Sequence, residues 1–203
     1  MVVLIIGITG ASGVIYGIRL LEVLSSMKEV ETHLIISEAG ELNIRHETEW
    51  KVEDIRAMAS FSYSIHDIAA RIASGSFKRD GMVIAPCTVK TMSALANSYC
   101  ENLLTRAGDV TLKEQKKLVL LVRETPLHIG HIRNMGKLSE MGAIIMPPVP
   151  AFYHRPKTIQ DIIDHTIGKT LDMLGIEHDL FQRWSGLPAE ENSFLSRQWE
   201  TIR

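Results

Sequence analysis

The chain has 203 residues, 45% of them hydrophobic, and a formal net charge of -2 with both signs interspersed. That length can bury one substantial core, and no Pro/Gly/Ser-rich linker or charge block divides it, so a single domain over 1–203 is expected, with a C-terminal tail from about 176. The charge balance leaves no basic stripe for nucleic acid, and no apolar run approaches the roughly 20 residues that cross a bilayer, so neither nucleic acid nor membrane is an expected partner.

Residues 1–8 lack the charged start of a secretion signal, and Cys87 and Cys100 form neither a disulfide framework nor a close zinc-type pair. A reducing, cytoplasmic setting is the expectation.

In chain order, Val2, Val3, Leu4, Ile5 and Ile6 make a short apolar, β-branched stretch that suits a strand covered on both faces. It meets the small-residue turn Thr9-Gly10-Ala11-Ser12-Gly13, after which Val14, Ile15, Ile18, Leu21 and Leu24 recur at helical steps. A strand feeding a helix through glycines leaves backbone N–H groups at the positive end of the helix dipole, which makes a ready anion site. Further strands are expected near 31–37, 81–86, 118–122 and 143–146. Helices are expected near 38–47, 52–59, 64–74, 88–98, 102–115, 128–141 and 158–174. This alternation predicts an α/β fold, a doubly wound, flavodoxin-like parallel sheet with helices on both faces.

Such sheets bind ligands at the carboxyl ends of their strands, where the strand order reverses. The expected ends carry Gly10-Ala11-Ser12, Ser37, Pro86-Cys87-Thr88-Val89-Lys90-Thr91, Arg123-Glu124, and Pro147-Pro148 leading to Phe152-Tyr153. A dinucleotide site needs a different glycine spacing from Gly7, Gly10 and Gly13, and an acidic residue closing the second strand, where Ser37 stands instead. Tyr153 and Lys157 have the spacing of a short-chain dehydrogenase pair, but Pro156 between them opposes a continuous helix. A single phosphate-bearing cofactor fits better, gripped by Ser12, Ser37, Thr88, Thr91 and nearby amides. Ser12 and Thr88 equally suit plain helix caps.

Read together, Gly7-x-Thr9-Gly10-Ala11-Ser12-Gly13, Pro86-Cys87-Thr88-x-Lys90-Thr91, Arg106-x-x-Asp109, Lys113-Glu114 and Arg123-Glu124-x-Pro126-Leu127 resemble the flavin prenyltransferases. His131-x-x-Asn134-Met135, Pro150-Ala151-Phe152-Tyr153 and Arg183-Trp184 continue the likeness in order, from Gly7 to about Trp184. Phe61 to Ser64, Ser74 to Phe77 and Trp184-x-Gly186-Leu187-Pro188 look most similar to the branch known as B subunits of hydroxyarylic acid decarboxylases.

The resemblance implies a metal-independent reaction in which dimethylallyl monophosphate alkylates reduced FMN at N5 and C6. The prenylated FMN would serve a partner aromatic acid decarboxylase, and the enzyme would be a homododecamer with active sites at subunit interfaces. Carried over by position, Gly10, Ala11, Ser12, Ser37, Thr88, Val89, Lys90, Thr91 and Arg123 would contact FMN. Arg106, Lys113, Arg123, Tyr153 and Lys169 would contact the prenyl phosphate. Glu124 would deliver a proton to the leaving phosphate, Ser12 with Glu47 would handle protons at the flavin, Lys113 would join the phosphate cluster, and Trp184 would shelter an allylic cation.

By the residues alone, Arg106 with Asp109 and Lys113 with Glu114 also read as solvated helix pairs, Glu47 as an exposed helix end, and Trp184 as core cover. His128, His131 and His165 read as packing or interface residues rather than metal ligands, and Cys87 as a small buried residue beside the flavin rather than a nucleophile. Three positions depart from the family pattern: Thr88 for a frequent Ser, Gly108 for Ala, and Lys169 for Arg, the last exchanging a bidentate guanidinium for a point charge. Two other functions fit the same flavin residues. One is an FMN-binding accessory subunit without prenyl transfer. The other is a peptidyl-cysteine decarboxylase, which the Arg123-Glu124-x-Pro126 segment and the missing Pro-x-Met-Asn segment disfavour.

Overall fold

The computed structural model describes residues 1–186. Leu187, Pro188 and the rest of the expected tail to 203 lie outside the described residues. The elements are β1 (Val2–Ile8), α1 (Ile15–Ser25), β2 (Val30–Ile36), α2 (Glu38–Glu47), α3 (Val52–Met58), β3 (Phe61–Tyr63) and β4 (Gly81–Cys87). They continue as α4 (Val89–Ala96), α5 (Leu103–Lys113), β5 (Lys117–Val122), α6 (Ile129–Glu140), β6 (Ile144–Ile145) and α7 (Ile159–Leu174).

The six strands form one sheet in the order β3-β2-β1-β4-β5-β6, and every neighbouring pair is parallel. The central strands are buried on both faces, which is why β1 and β4 read as unbroken apolar runs. Alternate residues of β1 point to opposite faces: Leu4, Ile6 and Ile8 pack with α1, α3 and α7, whereas Ile5 packs with α4, α5 and α6. Gly17 lets α1 lie directly on the sheet, because a Cβ there would strike the Ala85 carbonyl and the Ile8 side chain. The order reverses between β1 and β4, the topological switch point of this class of sheet.

Two local expectations are corrected. Residues 64–74 do not form the expected helix; they make turns and a single 3-10 turn at Arg71–Ala73. Ile65, Ile68 and Ile72 have helical spacing, but Ile68 is exposed, and the buried Arg79 side chain takes the carbonyls of Ile72 and Ser74. Phe61–Tyr63 adds an unforeseen edge strand, pairing with His33 to Ile35 of β2. Residues 153–157 are non-helical, as Pro156 predicts, and α7 opens with the Thr158/Asp161 capping box.

Candidate active site

At the carboxyl ends of β1, β2 and β4 a cleft of about 350 Å³ is lined by Thr9, Gly10, Ser37, Thr88, Lys90 and Thr91, with Ala39, His66 and Asn102 among its further walls. Two helices start there. Ser37 caps α2 by accepting from the Gly40 N–H at 3.0 Å, and Thr88 caps α4 by accepting from the Thr91 N–H at 3.1 Å. The first-turn N–H groups of Glu38, Ala39, Val89 and Lys90 have no acceptor among the described residues. Two helix N-termini thus present unfilled donors to one cleft, an arrangement that fits a phosphate and a polyhydroxyl chain.

Thr9, which sequence reasoning passed over, ties the two strand ends together. Its hydroxyl donates to the Pro86 carbonyl at 2.7 Å and accepts from the Thr88 N–H at 2.9 Å. Gly10 is required by close approach, since a Cβ there would collide with Ala39 on α2. Lys90 reaches across the cleft mouth to Glu101 at 2.7 Å, and that carboxylate raises the lysine pKa.

The turn at residues 9–13 is built differently from expectation. Ser12 is exposed and does not cap α1. Instead the Glu47 carboxylate, arriving from the end of α2, accepts from the N–H groups of Gly13 at 2.8 Å and Val14 at 3.3 Å. The anion site at the start of α1 is therefore filled by a resident carboxylate, and a ligand phosphate belongs at α2 or α4. Both contacts use Oε2, which ties the end of α2 to the turn that carries Ser12.

Arg123 and Glu124 follow β5 directly beside this end of the sheet, with the Arg123 N–H donating to the Cys87 carbonyl at 3.1 Å. The Arg123 side chain is exposed, and Glu124 is half-buried, accepting from the Thr125 N–H at 3.0 Å. Cys87 is fully buried, and burial pushes its thiol up to about 12, so it is no thiolate nucleophile at neutral pH.

The remaining cations lie elsewhere on the chain. Arg106, in the middle of α5, donates to the Ala73 carbonyl at 3.2 Å and pairs with Asp109 at 3.4 Å. Lys113 ends α5, just before β5 starts, and is ion-paired to Glu114 against Gly75. It sits at the amino edge of the sheet, separated from Arg123 and Glu124 by the six residues of β5, a span of about 20 Å. Tyr153, Lys169 and Trp184 form a third group around α7. The Tyr153 hydroxyl is 2.7 Å from His165 Nε2, Lys169 pairs with Asp172 at 3.1 Å, and the Trp184 ring stands edge-on to Tyr153 at 6.1 Å. Of the expected flavin residues, Gly10, Ser37, Thr88, Lys90 and Thr91 line the cleft, whereas Ala11, Ser12, Val89 and Arg123 are not among its lining, nor are Glu47, Glu124, Lys113 or the α7 group.

His128 accepts from the Gly130 N–H at 3.0 Å as the cap of α6, and its ring lies 3.7 Å from that of His131. Among the described residues no three His, Cys, Asp or Glu side chains converge as metal ligands, and no helix is long and apolar enough to cross a membrane.

Comparison with known proteins places this geometry. A family profile described as Flavoprotein matches residues 2–174. The chain is 52% identical over 185 residues to the flavin prenyltransferase UbiX of Escherichia coli K12, covering 90% of this chain and 98% of that protein. Among solved structures, AnUbiX (PadA1) in complex with FMN and dimethylallyl pyrophosphate superposes with a TM-score of 0.90 at 42% identity, covering 92% of this chain and 99% of that one. The dodecameric FMN-dependent UbiX-like decarboxylase of Escherichia coli O157:H7 superposes with a TM-score of 0.89 at 46% identity, covering 91% and 100%. The chain belongs to the UbiX family of flavin prenyltransferases.

Proposed function

We infer that the protein joins a dimethylallyl group from dimethylallyl monophosphate to reduced FMN, producing prenylated FMN for a partner aromatic acid decarboxylase. The observation that carries this reading is the cleft at the switch point, where α2 and α4 aim unfilled N–H donors past Ser37 and Thr88, in a chain of this family. Bound there, reduced FMN supplies an electron-rich ring as the nucleophile.

The chain's own residues supply the rest. The α2 and α4 termini with Thr88 and Thr91 hold the flavin's phosphate and ribityl chain, and Arg123 adds charge at the neighbouring strand end. Breaking the allylic C–O bond sends its electron pair to phosphate, so the leaving group must be neutralised and protonated. Lys169, Arg106 and Lys113 carry the positive charge for this, and Glu124 the proton. Tyr153 and Trp184 offer aromatic faces to the developing allylic cation. Glu47 fixes the Ser12 loop through Gly13 and Val14 while its second oxygen moves protons with Ser12 at the flavin.

Because Lys113 and the α7 group stand apart from the cleft within one chain, we propose that neighbouring copies complete the site in a dodecamer like that of the Escherichia coli relative. The cytoplasmic assignment is also ours and rests on the free thiols of Cys87 and Cys100. Release of inorganic phosphate from dimethylallyl monophosphate under anaerobic conditions tests the reading. Release that depends on reduced FMN supports transfer. No release by protein saturated with reduced FMN would return the chain to the accessory-subunit role.

A further inference from the structure

Asp172, in the last turns of α7, gathers more charge than any neighbour. Its carboxylate accepts from Lys169 Nζ at 3.1 Å and from both terminal nitrogens of Arg183, at 2.7 and 3.2 Å. His178 Nε2 lies 3.3 Å away, on a side chain that is almost fully buried. The His178 Nδ1 accepts from the Leu180 N–H at 3.2 Å, which holds the ring against the segment after α7. Arg183 and Lys169 hold the Asp172 carboxyl well below the usual carboxylate range, the Arg183 hydrogen bonds contributing most.

These neighbours belong to two parts of the chain. Lys169 is a proposed phosphate cation, and it stands where the family frequently has Arg. Arg183 and His178 belong to the segment after α7, whose next residue, Trp184, reaches Tyr153. The helix is shaped to receive that segment: a Cβ at Gly168 would come within 2.5 Å of the Phe181 ring and 2.6 Å of the His178 ring. Phe181 also packs on His165, which bonds the Tyr153 hydroxyl. The segment carrying His178, Phe181 and Arg183 therefore packs on a glycine notch and is pinned by the Arg183–Asp172 ion pair.

We propose that Asp172 is a positioning residue that aims Lys169 at the prenyl phosphate and, by clamping Arg183 onto the Gly168 notch, seats Trp184 beside Tyr153. The clamp follows from the contacts alone; its catalytic consequence rests on the prenyl-transfer reading. A single ammonium has no fork to fix its direction, so a lysine at 169 depends on its carboxylate neighbour more than an arginine would.

The test combines Asp172→Asn, Arg183→Ala and Gly168→Ala with hydrogen exchange and steady-state kinetics. Exchange in peptides covering 176–186 should rise in all three variants. KM for dimethylallyl monophosphate should rise at least about tenfold in Asp172→Asn, the size of a lost charged hydrogen bond, while FMN affinity holds. Arg183 is exposed, so Arg183→Ala folds and isolates the tail arm; Asp172→Glu should restore part of the KM. Unchanged exchange in Asp172→Asn and Arg183→Ala would overturn the clamp. Faster exchange with unchanged KM, or an equal loss of FMN affinity, would overturn the positioning role. If the wild type made no prenylated flavin, the functional reading would fail while the exchange data still decided the clamp.

Discussion

Glu47 shows how a single residue can redirect a motif. A glycine turn opening a helix offers N–H donors to an anion, and here the chain fills that position with its own carboxylate. The first-turn N–H groups that follow Ser37 and Thr88 are consequently the donors left for a ligand. Glu124, by contrast, spends only one oxygen on a backbone N–H, that of Thr125, and we propose that it is the proton donor to the leaving phosphate. Replacing it by Gln should lower turnover by about 10²–10⁴, the usual worth of a positioned acid, with FMN affinity unchanged by flavin titration. At Cys87 the expected outcome is inertness: a thiol pushed up to about 12 by burial should resist an aromatic disulfide reagent in the native protein, while the partly exposed Cys100 reacts. Thiol counting before and after unfolding measures this.

Among the elements, those with strong local signals were legible in the sequence. β1, β4 and β5 read as apolar runs, and α1 and α7 as periodic stripes, because burial on both faces or on one face dictates those patterns. The edge strand Phe61–Tyr63 escaped notice because three residues, largely exposed, carry no pattern of burial. Residues 64–74 misled because three isoleucines fell at helical steps, whereas the Arg79 guanidinium decided the local backbone by binding its carbonyls. The site was legible where motifs lie at strand ends. Thr9 and Asp172 were not, because their roles depend on partners brought near only by folding. An Asp three residues after Lys169 was the one local hint.

The β2–β3 edge carries its own pH dependence. His33 is buried among Phe61, Tyr63 and Phe77, and hydrogen-bonds to Tyr63 and Glu31 at 2.9 and 2.8 Å. Burial lowers its pKa below the ordinary 6.5, outweighing the upward pull of Glu31. The unfolded chain then takes up the proton first, so this contribution to stability is present above about pH 6.5 and is lost as pH falls below it. Melting temperature should decline on that acid side, and His33→Gln should flatten the decline even though it lowers stability at neutral pH.

For the whole molecule, the separation of charged groups on one chain is the leading fact. The cleft proposed for flavin lies at the carboxyl edge of the sheet, Lys113 at the amino edge, and Lys169 with Tyr153 and Trp184 around α7. Leu127, Ile129, Ile132, Val149, Phe152 and Ile159 add exposed apolar surface near the same helices, which suits burial between copies. If neighbours complete each site, inactive Lys113→Ala and Glu124→Gln proteins, mixed and reassembled, should regain part of the activity. Independent sites would leave the mixture dead.

The mass of the flavin extracted after anaerobic incubation of the protein with reduced FMN and dimethylallyl monophosphate tests the central claim most directly. The account predicts FMN heavier by one C5H8 unit with wild type, and the same product forming about 10²–10⁴ times more slowly with Glu124→Gln. Unmodified FMN from a wild-type protein that binds flavin tightly, measured beside a working relative, would contradict it.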